Sequence, residues 1–174
     1  MMNECDVVDL LTAFEQIGVT LWIGGGWGVD ALVGYQTRPH NDLDIYTEKE
    51  NADSIVNILT QKEYNEITTE YSTEGHKVWQ DSSDRIVDLH LFEFEGTETL
   101  FFENESYPSN ILAGEGTIGG IRVQCFTAEA QLLYHQGYEH NEKDVHDVML
   151  LCKTFGLDIP TEYAKVAITD EIEA

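Results

Sequence analysis

Apolar residues recur at helical spacing near both ends of the chain. Near the N-terminus they are Val7, Leu10, Leu11, Phe14 and Ile17, and near the C-terminus they are Val145, Val148, Met149, Cys152 and Phe155. Gly18 and Gly156 follow the two patterns as typical C-terminal stops, so we predict a helix in each segment. Thr127 is a good N-cap with Glu129 in the first turn, which predicts another helix running toward Tyr138.

Short strands are predicted between these helices. Residues 21–23 form the first strand, which runs into the glycine-rich turn 24–28 and then into a helical pattern at 29–33. Residues 43–46 alternate apolar and polar positions, as a half-buried strand does. A helical stripe follows this second strand and consists of Ile55, Ile58 and Leu59.

The middle of the chain has the pattern of further strands from residue 64 to 94, clearest at 86–92. Alternate positions give that strand an apolar face and a polar face: Val87, Leu89 and Leu91 on one, Asp88 and His90 on the other. Residues 96–116 are irregular, and 117–123 resemble a hairpin with two glycines at its turn.

Together these elements predict an α/β fold with a mixed sheet, flanking helices and a small helical C-terminal part. We expect the main domain to span residues 1–125 and the helical part to span residues 126–174. The acidic, weakly patterned segment after Pro160 is expected to form a loose extension of that part.

Size and composition are those of a globular protein. The chain has 174 residues, of which 42% are hydrophobic, enough for one sizeable core. Its longest apolar runs are too short to cross a bilayer, and the acidic N-terminus lacks the basic start of a secretory signal. We therefore expect a cytoplasmic protein without a membrane partner, in which the three scattered cysteines are reduced thiols.

The charge is strongly acidic, with 33 acidic and 9 basic residues and a formal net charge of -24. Such a field repels nucleic acid, which requires a basic surface, and attracts cationic small molecules or metal ions. Acidity that merely keeps the protein soluble is an equally good explanation.

The sequence Asp42-Leu43-Asp44 is the strongest chemical signal. Side chains two apart on a strand share a face, so the two carboxylates repel each other unless a cation lies between them. Asp88 offers a third carboxylate on a later strand. Hard oxygen ligands suit Mg²⁺, and three acids from two strands can hold two ions. An exposed pair of acids at a strand edge is the alternative.

The glycines that precede this strand have two interpretations. Residues 24–28 lie between a strand and a helix, where backbone N–H groups can bind a phosphate. They can equally form a tight turn or a close packing contact, because neither the P-loop nor the dinucleotide fingerprint is present.

Residues 21–45, LWIGGGWGVDALVGYQTRPHNDLDI, resemble the start of the small antibiotic nucleotidyltransferases of the DNA polymerase beta superfamily. The lincosamide nucleotidyltransferases and the aminoglycoside 2''-adenylyltransferases are the two groups concerned. The resemblance continues at residues 86–91, and at AEAQLLYHQGY and EKDVHDV within residues 128–150. It implies a polymerase-beta-like nucleotidyltransferase domain, with the wide spacing between Gly26 and Asp42 that the antibiotic enzymes share.

The resemblance also implies roles for the acids. Asp42, Asp44 and Asp88 would hold two Mg²⁺ ions, and Asp88 is also a candidate for the base that takes the acceptor's proton. His90 is the rival base, since lincosamide enzymes have a histidine at the matching position where aminoglycoside enzymes have an acid. A histidine that is simply hydrogen-bonded at the strand surface is the alternative.

The expected nucleotide ligands are Gly25, Gly26, Trp27, Arg38, His40 and Lys143. Arg38 and His40 match the family's Arg-x-His element, although Arg38 can instead pair with a surface acid. Lys143 also matches, with a solvated lysine at a helix end as the alternative, and Trp27 is more typical of a core position. Tyr134, His135, Tyr138 and Glu139 are candidates for acceptor contacts.

We thus expect a Mg²⁺-dependent enzyme that transfers AMP from ATP to a hydroxyl of a small-molecule antibiotic and releases pyrophosphate. A lincosamide is the first choice, because of the local motifs, and an aminoglycoside is the second, because of the charge. A catalytically silent, partner-binding protein of the same fold is the alternative from another class, and the sequence lacks the motifs of a phosphotransferase. The sequence leaves open whether the protein forms a homodimer.

Overall fold

The computed structural model describes residues 1–164. Within this range the chain forms five α-helices and nine strands. The helices are α1 (Glu4–Gln16), α2 (Gly25–Val33), α3 (Ala52–Gln61), α4 (Ala128–Tyr134) and α5 (Glu142–Phe155). The strands are β1 (Trp22–Ile23), β2 (Asp42–Glu48), β3 (Asn65–Ile67), β4 (His76–Gln80), β5 (Ile86–Glu95), β6 (Thr99–Phe102), β7 (Glu105–Pro108), β8 (Gly114–Ile118) and β9 (Ile121–Cys125).

The strands build a mixed sheet in the order β3-β4-β5-β2-β1-β9-β8. Strands β2 and β5 run parallel at its centre, and β1 and β9 are also parallel, while the other neighbours are antiparallel. The far end of β5 leaves this sheet and pairs with the hairpin of β6 and β7. The predicted α/β fold with a mixed sheet is confirmed.

The two faces of the central strands have different surroundings. On one face the apolar residues of β2 and β5 are fully buried in a core shared with α1 and α3: Val7, Leu10, Phe14, Leu43, Ile45, Ile55, Leu59, Val87 and Leu89. Helix α1 begins with a capping box in which Asn3 and Asp6 satisfy each other's backbone N–H groups. The opposite face of β2 and β5 carries the polar residues, so the core fixes which face presents the acids.

Helix α2 lies close to the sheet on strand β8. A Cβ atom on Gly116 would overlap the Ala31 carbonyl, so glycine is required for this approach. The C-terminal helices pack on the same helix, because Val29 of α2 lies in one cluster with Ala128 and Leu151. Helix α2 is therefore held between the sheet and the helices α4 and α5.

The long helical patterns were predicted correctly, and other segments were not. Helices α1 and α5 end before Gly18 and at Gly156 as expected, and Thr127 caps α4. Within the segment 96–116, the prediction of irregular structure was wrong, because β6 and β7 form a hairpin there. The run 24–28 is not only a turn, since α2 already begins at Gly25.

The C-terminal predictions are tested only in part. Helix α4 ends at Tyr134, short of the predicted Tyr138. The loose extension expected after Pro160 lies largely outside the described residues, and the proposed boundary at residue 125 stays a prediction. No helix within residues 1–164 combines the length and apolar character needed to cross a membrane.

Gly116→Ala should lower the free energy of unfolding by about 1 to 3 kcal/mol, because a backbone carbonyl cannot move aside as a flexible side chain can. Urea unfolding of the purified protein measures this. Gly75→Ala is the control, since a Cβ there meets its nearest atom at an ordinary 3.5 Å. Equal stability of the two variants would contradict the close packing of α2 on β8.

Candidate active site

The three acids predicted from the sequence lie on one face of the two central strands. Strands β2 and β5 are parallel and pair with Asp44 opposite Asp88, so these two side chains are direct neighbours across the sheet. Asp42 lies two residues before Asp44 on the same face. Asp88 is 5% exposed, whereas Asp44 is half-buried and Asp42 lies at the open edge.

Three aromatic rings form a row next to the acids, two residues further along the strands on the same face. His90 is stacked between Tyr46 and His76, with ring centroids 4.2 Å and 4.1 Å away. His90 Nε2 lies 3.2 Å from Asp44 Oδ1, and His76 Nε2 lies 2.9 Å from Asp88 Oδ1. Each histidine thus holds one oxygen of a different acid.

Sequence reasoning missed His76. It lies on β4, opposite His90 in the antiparallel pair of β4 and β5. The alternation of residues in β4 assigns it to a face, but only the pairing of β4 with β5 brings it to Asp88. No local signal identifies that pairing.

The surroundings of Asp42 change its ionisation. Although Asp42 as a residue is exposed, neighbouring groups partly desolvate its carboxyl group, and this desolvation, followed by repulsion from Asp44 and Asp88, raises the pKa of Asp42 to about 6. Within residues 1–164, no three Asp, Glu, His or Cys side chains already have the arrangement of metal ligands. The acids are therefore close enough to need a cation, and their hard oxygens fit Mg²⁺, but they do not form a completed ligand set.

The N-terminus of α2 meets the acids directly. A Cβ atom on Gly25 would collide with Asp44 Oδ2, and Gly25 has a φ of +53°, so glycine is required at this position. Asp44 also accepts a hydrogen bond at its backbone carbonyl from the Gly24 N–H at 3.1 Å. The N–H groups of the first helical turn have no partner within a helix, so this end of α2 suits an anion.

Arg38 lies over the same helix end in a buried network. Its Nε donates to Asp147 Oδ1 at 2.8 Å and its Nη2 to Asp147 Oδ2 at 2.5 Å. Its Nη1 donates to His40 Nδ1 at 3.0 Å, so His40 carries its proton on Nε2 and donates to Asp30. The alternative for Arg38, a loose pair with a surface acid, is excluded because Asp147 is fully buried.

Asp147 is the centre of this network and was also missed. Burial alone would raise the pKa of Asp147, but the hydrogen bonds from Arg38 and the nearby ring of His135 outweigh it and hold the pKa below its usual range. The pKa of His135 is raised. Burial alone would lower it, but Asp147 and the Gln131 carbonyl together raise it by more. The sequence signal for its burial was limited to one apolar neighbour of Asp147 on the helix, Leu151, four residues later.

Three of the predicted nucleotide ligands are in unexpected places. Trp27 is 2% exposed and packs against His40 with ring centroids 4.6 Å apart, so its prediction as a nucleotide contact was wrong and the core alternative holds. His40 is also buried and reaches the site only through Arg38. Lys143 is exposed near the start of α5 and makes no ion pair with residues 1–164.

A cleft of about 390 Å³ opens beside these groups, which is the size that drug-like ligands occupy. Gly25, Gly26, Arg38 and Asp44 line one end of it. The rest of the wall is mostly aromatic and aliphatic: Tyr46, Phe92, Leu100, Phe102, Tyr107, Ile111, Leu112, Phe126, Tyr134 and Tyr138. Of the four predicted acceptor contacts, Tyr134, His135 and Tyr138 line the cleft, whereas Glu139 does not.

Solved structures of similar proteins define the class of this fold and site. The lincomycin-bound crystal structure of a lincosamide antibiotic adenylyltransferase matches with a TM-score of 0.75 and 27% identity, covering 86% of this chain and 96% of that one. An aminoglycoside 2''-nucleotidyltransferase in complex with adenylyl-2''-tobramycin has a TM-score of 0.73 at 21% identity, with 98% of both chains covered. The fold is that of a nucleotidyltransferase.

Sequence comparisons narrow this class to a family. The family model of the aminoglycoside-2''-adenylyltransferases matches residues 6–151, and the chain therefore belongs to that family. A lincosamide resistance protein of Staphylococcus haemolyticus is 27% identical over 158 residues, 84% of this chain and 92% of its own. A 2''-aminoglycoside nucleotidyltransferase of Escherichia coli is 27% identical over 162 residues, 86% of this chain and 85% of its own.

Asp42→Asn should stabilise the fold in metal-free buffer at pH 8. The pKa of Asp42 rises to about 6 on folding, so the folded protein loses stability as the pH rises from about 4 through 6. Above that range Asp42 must ionise beside Asp44 and Asp88. After allowance for solvent screening we expect a gain of about 1 kcal/mol at pH 8 and none below pH 4. Thermal unfolding with a chelator present measures it.

The control for net charge is Glu98→Gln, which removes one exposed acid outside this cluster. If both variants gain the same stability at pH 8, general charge repulsion accounts for the effect and the three acids are not specifically crowded.

Proposed function

We propose that this protein is a Mg²⁺-dependent adenylyltransferase that transfers AMP from ATP to a hydroxyl of a lincosamide antibiotic. The observation that carries the proposal is the pairing of Asp44 with Asp88 beside the N-terminus of α2, at one end of a drug-sized cleft. A cytoplasmic location is part of this proposal, because the proposed donor is ATP.

The acids would hold the metal and accept the proton. Mg²⁺ bound by Asp42, Asp44 and Asp88 would supply the positive charge that a triphosphate and an attacking oxygen both need. The acceptor oxygen attacks the α-phosphorus, the bond to the leaving pyrophosphate breaks, and the hydroxyl proton passes to a carboxylate.

Asp88 suits the role of base better than His90. In His90 the Nδ1 atom is buried and unpaired with any of residues 1–164, and Nε2 is occupied by Asp44. Asp88 uses Oδ1 for His76 and keeps Oδ2 for a proton. We therefore propose that Asp88 Oδ2 takes the acceptor's proton, while His90 keeps Asp44 in place.

The phosphates would lie at the start of α2. The first-turn N–H groups at Gly25 and Gly26 and the guanidinium of Arg38 are all at this end of the cleft. Lys143 is exposed near the first turn of α5, whose Asp144 lines the cleft, so its flexible chain can add a charge to a bound nucleotide.

The cleft wall favours a lincosamide over an aminoglycoside. A lincosamide joins a hydroxylated sugar to an alkyl-bearing ring with one basic amine, whereas an aminoglycoside carries several ammonium groups. The aromatic and aliphatic wall can bury the alkyl part, and beyond the metal-binding end Asp144 is the acid that lines it. The net charge of -24 supports the second candidate, an aminoglycoside, but acts at long range and is screened by salt.

The test is pyrophosphate release from Mg-ATP in the presence of a panel of lincosamides and aminoglycosides. We expect release with a lincosamide and a loss of at least about a thousandfold in Asp44→Asn, since the metal site loses a charged ligand. Release with aminoglycosides alone would favour the second candidate. If no acceptor supports release, the protein is the partner-binding alternative.

Ile111→Glu should raise the KM for the lincosamide about tenfold and leave the KM for ATP within about twofold, because a charge in the apolar wall opposes burial of the alkyl group. Steady-state kinetics with each substrate varied in turn measures the two constants. The matched control is Ile159→Glu, an exposed isoleucine outside the cleft lining. An unchanged lincosamide KM in Ile111→Glu would contradict binding against this wall.

A further inference from the structure

We propose that Asp147 is the positioning residue that holds Arg38 ready for the nucleotide phosphates, and that helix α5 is thereby part of the nucleotide site. This inference rests on the proposed function, because it requires that Arg38 meets a triphosphate. It adds a residue that contacts no substrate and that lies 109 positions from Arg38 along the chain.

The ion pair has the geometry of a fixed support. Both oxygens of Asp147 accept from Arg38, one from Nε at 2.8 Å and one from Nη2 at 2.5 Å. The Asp147 side chain is 1% exposed and that of Arg38 is 16% exposed. Two parallel charge-assisted hydrogen bonds fix the plane of a guanidinium, which a single contact does not.

The donor count shows which part of Arg38 is left for a ligand. A guanidinium has five N–H donors. Asp147 takes one from Nε and one from Nη2, while His40 Nδ1 and the Pro39 carbonyl accept from Nη1 at 3.0 Å and 3.2 Å. One N–H of Nη2 has no partner among residues 1–164. Nη2 lies against Gly26, where a Cβ atom would collide with it, and Arg38 lines the cleft.

The surrounding charge explains why such a support is needed. The chain has 33 acidic residues and 9 basic ones, and the neighbours that act electrostatically on Arg38 include Asp30 and Asp42. A loosely held arginine here would move to the acids that the metal requires. Asp147 prevents this, because a bidentate partner from α5 keeps the guanidinium over Gly26.

The same carboxylate ties α4 into the arrangement. His135 Nε2 lies 3.7 Å from Asp147 Oδ2, and His135 Nδ1 lies 2.7 Å from the Gln131 carbonyl. His135 also lines the cleft. Both C-terminal helices therefore reach the nucleotide site through one buried acid.

A double-mutant cycle tests the inference. Calorimetry measures the binding of a non-hydrolysable ATP analogue with Mg²⁺, without an acceptor, to the wild type, Asp147→Asn, Arg38→Ala and the double variant. We expect Asp147→Asn to weaken binding about tenfold and Arg38→Ala about tenfold to a hundredfold. In the Arg38→Ala background, Asp147→Asn should add less than about twofold, because a residue that acts through Arg38 has nothing left to position.

The control for a merely structural effect is Asp81→Asn. Asp81 is a buried acid in the turn between β4 and β5, where it accepts from Arg85 Nε at 2.6 Å outside the cleft lining. This variant should lose thermal stability and keep the nucleotide affinity within about twofold. Melting curves are recorded for all variants, and the titrations are run at a temperature at which each of them is folded.

The outcomes are distinct. Unchanged affinity in Asp147→Asn, or additive losses in the double variant, would overturn the positioning role while the proposed function stands. If Asp81→Asn weakens binding as much as Asp147→Asn does, the effect is one of stability and the inference is wrong. Failure of the wild type to bind the Mg²⁺-nucleotide analogue would overturn the proposed function and the inference together.

Discussion

Repulsion between Asp44 and Asp88 is the constraint on which the rest of the site depends. The two carboxylates are direct neighbours because β2 and β5 run parallel in this register. The apolar residues that alternate with the acids along each strand are buried on the opposite face. A slip of one residue would exchange the faces and expose the core, so the register is fixed by burial. The fold thus uses hydrophobic energy to hold together charges that would otherwise separate.

Each neighbouring group compensates part of that repulsion. His76 and His90 each take one carboxylate oxygen, and the amide end of α2 lies against Asp44. Arg38 stays apart from these acids, since Asp147 holds it over the helix end. The site therefore separates two regions of opposite charge: a negative cluster on the sheet, and a positive region formed by the end of α2 and Arg38.

Much of the fold and the acids were predictable from the sequence, because both leave local patterns. Helical spacing identified α1 and α5, and alternation along β5 separated Asp88 and His90 from Val87 and Leu89. The contacts of His76 and Asp147 were not predictable, since they depend on strand pairing and on helix packing over long sequence distances. The hairpin of β6 and β7 was missed because its short strands lack a clear alternation. Trp27 was assigned to the nucleotide rather than the core because the helix that buries it already begins at Gly25.

The β6–β7 hairpin supplies part of the cleft wall from a position remote from the three acids. The hairpin pairs with β5 only at residues 93–95, beyond Asp88, yet it contributes Leu100, Phe102 and Tyr107 to the cleft wall. Substitutions in the β6–β7 hairpin can change the shape of the cleft without moving the central strands. Proteins of this fold can therefore evolve a different range of bound compounds through substitutions in the β6–β7 hairpin, while the residues on the central strands stay the same.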